Sequence, residues 1–415
     1  MTKLRKWAIF LTDDSFQLDR RIYHQACSLQ EIGFQALIIY FHANLPLVSE
    51  FPVGVHFHNA APATRLPLGL QRLFAPFFWL RGFLSSYSSI VRFYQFSVSF
   101  QNHFPTSISE ITVEGFDNDA EIIIANDLPT LPLALELKAK FSARKVIFDA
   151  HEYYEDQLEL LLSSRLRKSW RSVSRVYIPR ADEVLTVTDD IAHRLTSSCE
   201  LQSKVEIIPN AHPWVAKSAL NSGKGKLRGL YNIPPDKKII LCSGGITRGR
   251  NLEDLILASR VLDEDIVVCF LGFSDKVYLR ELVNMVTDLK LESKVKIGRS
   301  VQPDTVVEHC VDAELGFISN RGSGFNNTEG CPNRLYEYIQ ARLPIFSFRH
   351  KGISQVLEKT QTGFIREWSS PEELGALLNF AVDAGSYFAP QLFEEAAKTY
   401  SWESYQHRYQ KLICR

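Results

Sequence analysis

Short apolar runs alternate with amphipathic stretches along most of this chain. Trp7–Thr12 is an apolar run followed by the polar Asp13–Gln17, which reads as a strand entering a loop. Asp19–Ile32 then carries Ile22, Ala26, Leu29 and Ile32 at helical spacing and stops at Gly33, a C-cap signal. Ala36–Tyr40 is the next apolar run, so the opening reads as a strand–helix–strand unit with parallel strands. The rhythm returns after residue 110. Strands are expected at Glu121–Ala125, Lys145–Asp149, Val184–Thr188 and Val205–Ile208, with helices over Pro129–Ala139 and Gln157–Tyr177 and after Asp189. Residues 214–236 are rich in Gly, Ser and Lys and carry Pro234-Pro235, which reads as a linker. A second series follows, with strands at Ile239–Cys242, Ile266–Leu271, Val295–Ile297, Leu315–Ile318, Ile345–Phe348 and Gly363–Ile365. The class is α/β, with two Rossmann-like doubly wound domains facing a central cleft. Their expected spans are 1–213 and 214–392, with a closing helix over 393–415 packing back on the first.

Residues 51–109 break the rhythm. No Asp or Glu occurs between Glu50 and Glu110, while Arg65, Arg72, Arg81 and Arg92 do, among crowded aromatics such as Phe77, Phe78 and Trp79. Two readings stand side by side: core aromatics between helices, or a basic and aromatic face over residues 62–100 resting on an anionic membrane.

Lys+Arg and Asp+Glu both total 47, so net charge points to no nucleic-acid partner. The seven cysteines are scattered without C-x-x-C or metal-ligand spacing, which fits a reduced, cytoplasmic setting. No apolar run reaches the roughly 18 residues of a spanning helix. Composition leaves the oligomeric state open.

Chemistry concentrates in Asn326–Phe348, NNTEGCPNRLYEYIQARLPIFSF. A polar loop runs through Pro332 into a helix, delivering backbone N–H groups and partial positive charge suited to phosphate. Asn333 and Glu337 are i,i+4 neighbours on one helix face, and Glu329 precedes Glu337 in the loop. Carboxylates there suit the hydroxyls of a ribose or sugar, which makes this a candidate sugar-nucleotide site. Ser243–Asn251 (SGGITRGRN) lies between a strand and a helix. There Gly244 and Gly245 allow close backbone approach, and Arg248 and Arg250 can clamp a diphosphate. At the strand ends of the first half stand Asn126, Asp127, Asn210 and the pair His151-Glu152. His151 is expected to hydrogen-bond the transferred sugar, with general-base work as a second role. No zinc-protease, paired-Asp metal or G-x-S-x-G signature offers another chemistry.

These residues resemble the GT-B glycosyltransferases of family 4, the glycosyl transferases group 1. The similarity lies in E-x7-E running into P-N-R-L-Y-E-Y-I-Q-A-R-L-P-I, in S-G-G-I-T-x-x-R-N-L, A-D-E-V-L-T-V-T and I-I-P-N-A, and in the closing S-W-E-x-Y. The resemblance implies a nucleotide-sugar donor in the second domain, most often a UDP-sugar. It further implies an acceptor (a glycan or lipid-linked molecule) in the first, no metal cofactor and retention of anomeric configuration. By position Glu337 meets the ribose, Glu329 the donor sugar, Arg250 the diphosphate and His151 the sugar. The helix start at Asn333, Arg334 and Leu335 meets phosphate, and the segments after Leu271 and around Arg299 meet the base. Gly245 stands where many members carry a first diphosphate Arg, so either Arg248 substitutes for it or one clamp is missing. The alternatives are a nucleotide-sugar epimerase of the same architecture and a catalytically silent nucleotide-sugar or glycan-binding scaffold.

Overall fold

The computed structural model describes residues 6–12, 19–40, 54–59, 116–117, 119–156, 164–319 and 324–415. The 62–100 segment, with its basic and aromatic residues, lies outside the described residues, as do Asp13, Asp14 and Phe16. The first sheet contains β1 (Lys6–Thr12), β2 (Phe34–Tyr40), β3 (Val55–Asn59), β4 (Ile122–Asn126), β5 (Lys145–Ala150), β6 (Glu183–Thr186) and β7 (Glu206–Ile207). Their order is β3-β2-β1-β4-β5-β6-β7, and every pairing is parallel. The second contains β8 (Lys238–Ser243), β9 (Ile266–Leu271), β10 (Val295–Arg299), β11 (Leu315–Ile318), β12 (Ile345–Phe348) and β13 (Gly363–Arg366). Their order is β10-β9-β8-β11-β12-β13, again all parallel. Parallel sheets are covered on both faces, which is why their strands appeared as unbroken apolar runs. Ile122, Ile123 and Ile124 of β4 are all fully buried, shared between the cores on opposite faces of the sheet.

Each sheet reverses its winding direction beside its first strand, between β1 and β4 and between β8 and β11. Ligands of such sheets bind at that crevice, beyond the carboxyl ends of the strands. The loops that matter for chemistry leave from there.

Three sequence expectations change. β3 was missed because V-H-F-H-N alternates and lies at a partly exposed edge, so it has no apolar run to announce it. The 214–236 stretch is not a bare linker: helices Lys217–Gly223 and Lys226–Tyr231 bury Leu220 and Leu227 in the second half's core. The closing helix is two helices. Pro390–Thr399 packs Phe393, Ala396 and Ala397 inward, with Ala396 and Ala397 in the second core. Trp402–Cys414 inserts Trp402, Tyr409, Leu412 and Ile413 into the first. The chain crosses back between them, where Trp402 N–H donates to the His212 carbonyl and the Trp402 indole donates to Ser28 Oγ at 2.9 Å.

Candidate active site

On the first half, Asp19 caps the Arg20–Glu31 helix by accepting the Arg21 N–H at 2.8 Å. The next side chain turns inward. Arg21 donates from Nε and Nη2 to the two Asp149 carboxylate oxygens at 2.8 and 2.9 Å, and to the Ile208 and Pro209 carbonyls. Both partners are essentially sealed from solvent, with side-chain exposures of 1% and 0%. Burial works against the Asp149 charge, but the Arg21 guanidinium and His151 outweigh it and hold this carboxyl far below the ordinary range. One buried fork thereby ties the first helix to the ends of β5 and β7.

His151 follows β5 and sits among three carboxylates. Its Nδ1 lies 3.5 Å from both Asp19 and Asp127, and its Nε2 lies 3.7 Å from Asp149. Burial alone would push the imidazole down, yet the carboxylates, led by Asp127, raise it to about 10. His151 is therefore an imidazolium at neutral pH, which removes the general-base role and leaves that of a hydrogen-bond donor and fixed positive charge. Asp127 adopts φ 61°, ψ 162° and accepts the His151 backbone N–H at 3.0 Å. A non-glycine residue in that region costs roughly 1–3 kcal/mol and persists only where its surroundings impose it. Sequence reading named Asp127 only as a strand-edge polar residue and gave Asp19 no part; both emerge from the packing.

These charges set opposite limbs of a pH–stability curve. Burial pushes buried His24 down to about 3, with His212 and Arg20 adding to it. Below pH ~6.5 the unfolded chain takes that proton first, so stability falls as pH drops toward 3. For His151 the folded chain keeps a proton that the unfolded chain releases, so stability falls as pH rises from ~6.5 toward 10. The expected thermal-unfolding midpoint peaks near pH ~6.5, and His24→Phe flattens the acid limb between pH ~6.5 and ~4 while sparing the alkaline limb. An acid limb as steep in His24→Phe as in the unchanged protein contradicts the assignment.

On the second half the loops after β8 and β9 are laced together. Ile246 N–H donates to the Phe273 carbonyl at 2.8 Å. Gly272 has no room for a side chain, because a Cβ there would stand 1.8 Å from the Gly244 carbonyl oxygen. Gly244 has φ +96°, and Gly244 and Gly245 both line the cleft. Arg250 folds back to donate to the Gly245 carbonyl at 2.8 Å, and Arg334 donates to the Ser243 carbonyl at 3.1 Å. Burial, then the neighbouring Arg334, lower the Arg250 guanidinium to about 10. It stays charged at neutral pH, and two like charges held close favour an anion that neutralises them.

The helix Asn333–Gln340 starts from Pro332, which occupies the N-cap position in extended backbone and not the first turn. Glu337 is buried, accepts the Ser243 hydroxyl at 3.4 Å and pairs with Arg20 from the opposite half. His151, Asn210, Gly244, Arg250, Asn333 and Glu337 line a cleft of about 700 Å³ between the halves.

Four expected site residues stand elsewhere. Arg248 pairs with Glu281 and lies over the Tyr278 ring at 4.8 Å, outside the cleft lining; Arg334 stands with Arg250 on the second half's wall of the cleft instead. Arg299 ends β10 on the side of another cavity, beside Tyr231 and Lys296, while Ser300–Pro303 reach the cleft. Leu335 is fully buried in the second core, and its N–H is taken by the Pro332 carbonyl at 2.9 Å. Glu329 ends a short helix, Phe325–Glu329, and points to Lys351 Nζ at 3.5 Å, away from the cleft lining. That helix is pinned to the first half. Asn326 accepts the Tyr153 N–H at 2.7 Å and donates to its carbonyl at 2.9 Å, and Arg194 lies over both Tyr153 and Phe325. Cys331 is buried, and burial pushes its thiol up to about 12, which fits packing rather than nucleophilic chemistry. Among the described residues no group of three or more His, Cys, Asp or Glu has the arrangement to hold a metal ion.

Residues 224–398 match the family model of glycosyl transferases group 1. The fold is shared with solved structures that align over the whole chain. Sucrose-phosphate synthase of Thermosynechococcus elongatus has a TM-score of 0.69 at 14% identity, covering 98% of each chain. The Anabaena Alr3699/HepE protein in complex with UDP-glucose has a TM-score of 0.68 at 12% identity, covering 98% of this chain and 99% of that one. A glycosyltransferase of Rickettsia africae has a TM-score of 0.65 at 14% identity, covering 99% and 98%. No curated protein sequence matches this chain. Two parallel doubly wound sheets with a cleft between them give the chain the GT-B fold, the architecture that the motifs implied. The likeness to the glycosyl transferases group 1 is carried by residues 224–398, the half that holds Gly244, Arg250, Asn333 and Glu337.

Proposed function

We propose that the protein is a retaining hexosyltransferase that moves a sugar from a UDP-sugar to a glycan or lipid-linked acceptor in cell-surface polysaccharide synthesis. The observation that carries this reading is the placement of Glu337, a buried carboxylate, on the same cleft wall as Arg250 and Arg334. A carboxylate suits ribose hydroxyls, and the guanidiniums suit the diphosphate beside them. The neighbouring structure solved with UDP-glucose supports UDP as the nucleotide.

Cleavage of the sugar–phosphate bond places positive charge on the sugar ring and negative charge on the leaving diphosphate. Arg250, Arg334 and the helix start at Asn333 are arranged to stabilise that leaving group without a metal ion. The His151 imidazolium, on the opposite wall, donates a hydrogen bond toward the transferred sugar. Displacement on the leaving-group face needs no protein nucleophile, and none is assigned. Among the described residues no helix is long and apolar enough to cross a membrane. The reading puts the protein in the cytoplasm, at the inner face of the cell membrane through residues 62–100.

A panel of nucleotide sugars tested by thermal shift and by hydrolysis decides it. UDP-sugars are expected to raise the unfolding midpoint and to be hydrolysed slowly without acceptor. A panel in which no nucleotide sugar binds refutes the assignment.

A further inference from the structure

Glu337 has a partner across the cleft. Arg20, from the first helix of the opposite half, reaches across and places Nη2 on Glu337 Oε1, while its Nη1 donates to the Pro303 carbonyl at 3.0 Å. Pro303 belongs to the 300–303 loop beyond β10, on the cleft wall with Glu337. The Arg20 side chain thus spans the stretch of cleft between the carboxylate and that loop. The second carboxylate oxygen is engaged by Ser243. With a side-chain exposure of 6%, Glu337 is desolvated enough that its charge requires a partner, and Arg20 is the cation that supplies one.

We infer that Arg20 is an intramolecular competitor for the donor. It holds the carboxylate assigned to the ribose and must leave it before the ribose hydroxyls can bind. This inference rests on the reading of Glu337 given above. A ribose diol brings two neutral hydrogen-bond donors but no charge, so it replaces Arg20 only at the cost of the ion pair. Donor affinity is reduced by the fraction of molecules in which the pair is closed; a pair closed in about nine molecules of ten weakens binding about tenfold. The contact also joins the two halves, so donor entry and release of this cross-cleft tie are one event.

The test uses the full chain with two probes, UDP and 2′,3′-dideoxyuridine diphosphate, which lacks the hydroxyls that Glu337 is assigned to hold. Arg20→Met is expected to tighten UDP about tenfold and leave the dideoxy compound unchanged. Arg20→Lys, which keeps a cation on a shorter reach, is expected to tighten UDP by less and guards against a fold defect in Arg20→Met. UDP affinity that is unchanged or weaker in both variants overturns the inference, as does equal tightening of both probes. The two failures separate cleanly: if neither the unchanged protein nor the variants bind UDP, the donor assignment falls, whereas UDP binding indifferent to Arg20 sinks this inference alone.

Discussion

Made in the Arg20→Met background, where no cation competes, Glu337→Gln is expected to weaken UDP binding about 10- to 100-fold while leaving binding of inorganic pyrophosphate nearly unchanged. The estimate follows from hydrogen bonds to a charged group contributing about 1.5–3 kcal/mol. Gln keeps the shape and one acceptor oxygen, so the helix and the burial of its Leu335 and Tyr338 in the second core are retained. Its single oxygen is uncharged and the other position becomes an NH2 donor, so it holds a pair of ribose hydroxyls less strongly than the carboxylate does. Calorimetric titration of both ligands separates ribose recognition from diphosphate recognition. Equal weakening of the two would place Glu337 outside the ribose site, and UDP affinity in the double variant equal to that of Arg20→Met would refute its role.

The second large effect belongs to the buried Arg21–Asp149 fork. Arg21→Met removes the counter-charge from a carboxylate with no exposure, and breaking such a pair costs about 3–5 kcal/mol. The loss reaches further than stability. Asp149 is one of the three carboxylates around His151, and Arg21 also holds the Ile208 and Pro209 carbonyls. Arg21→Met together with Asp149→Leu is expected to recover part of the stability, since no lone buried charge remains. The doubly changed protein should nevertheless show a lower His151 pKa in an NMR titration, because one of its anions is gone. Denaturant unfolding of the single and double variants reads the coupling directly. A double variant no more stable than the sum of two independent losses would mean that the fork does not act as one unit.

Much of this architecture was legible from periodicity. The strands of both sheets, apart from the edge strand Val55–Asn59, were expected close to their observed ranges, because strands buried on both faces must be apolar throughout. His151 and Asn210 were placed at strand ends on the same reasoning and do line the cleft. The second-half loop with Gly244, Gly245 and Arg250 also reaches it. Side-chain direction was where sequence reasoning failed. Arg248 and Arg250 lie two residues apart in one loop, yet one turns to Glu281 and Tyr278 and the other into the cleft. Glu329 was counted as a loop residue facing the ligand, but it ends a helical turn beside Lys351. Arg299 and Ser300 diverge across a strand end in the same way. Nothing in local pattern distinguishes these outcomes, since each depends on which neighbour offers a partner.

By itself, then, the order of apolar and polar residues determined two parallel sheets, their strand ends and a helix carrying Asn333 and Glu337 on one face. Those properties are local, set by backbone geometry and by the period at which side chains recur. Only the tertiary structure decided which charges meet. Arg20 and Glu337 are 317 residues apart and Arg21 and Asp149 are 128 apart, so no short-range signal links either pair. The same holds for the three carboxylates that hold His151 as a cation and for the Asn326 contact that pins the second half to Tyr153. Burial gives these pairings their weight, because a desolvated charge must find its partner wherever the fold brings one within reach.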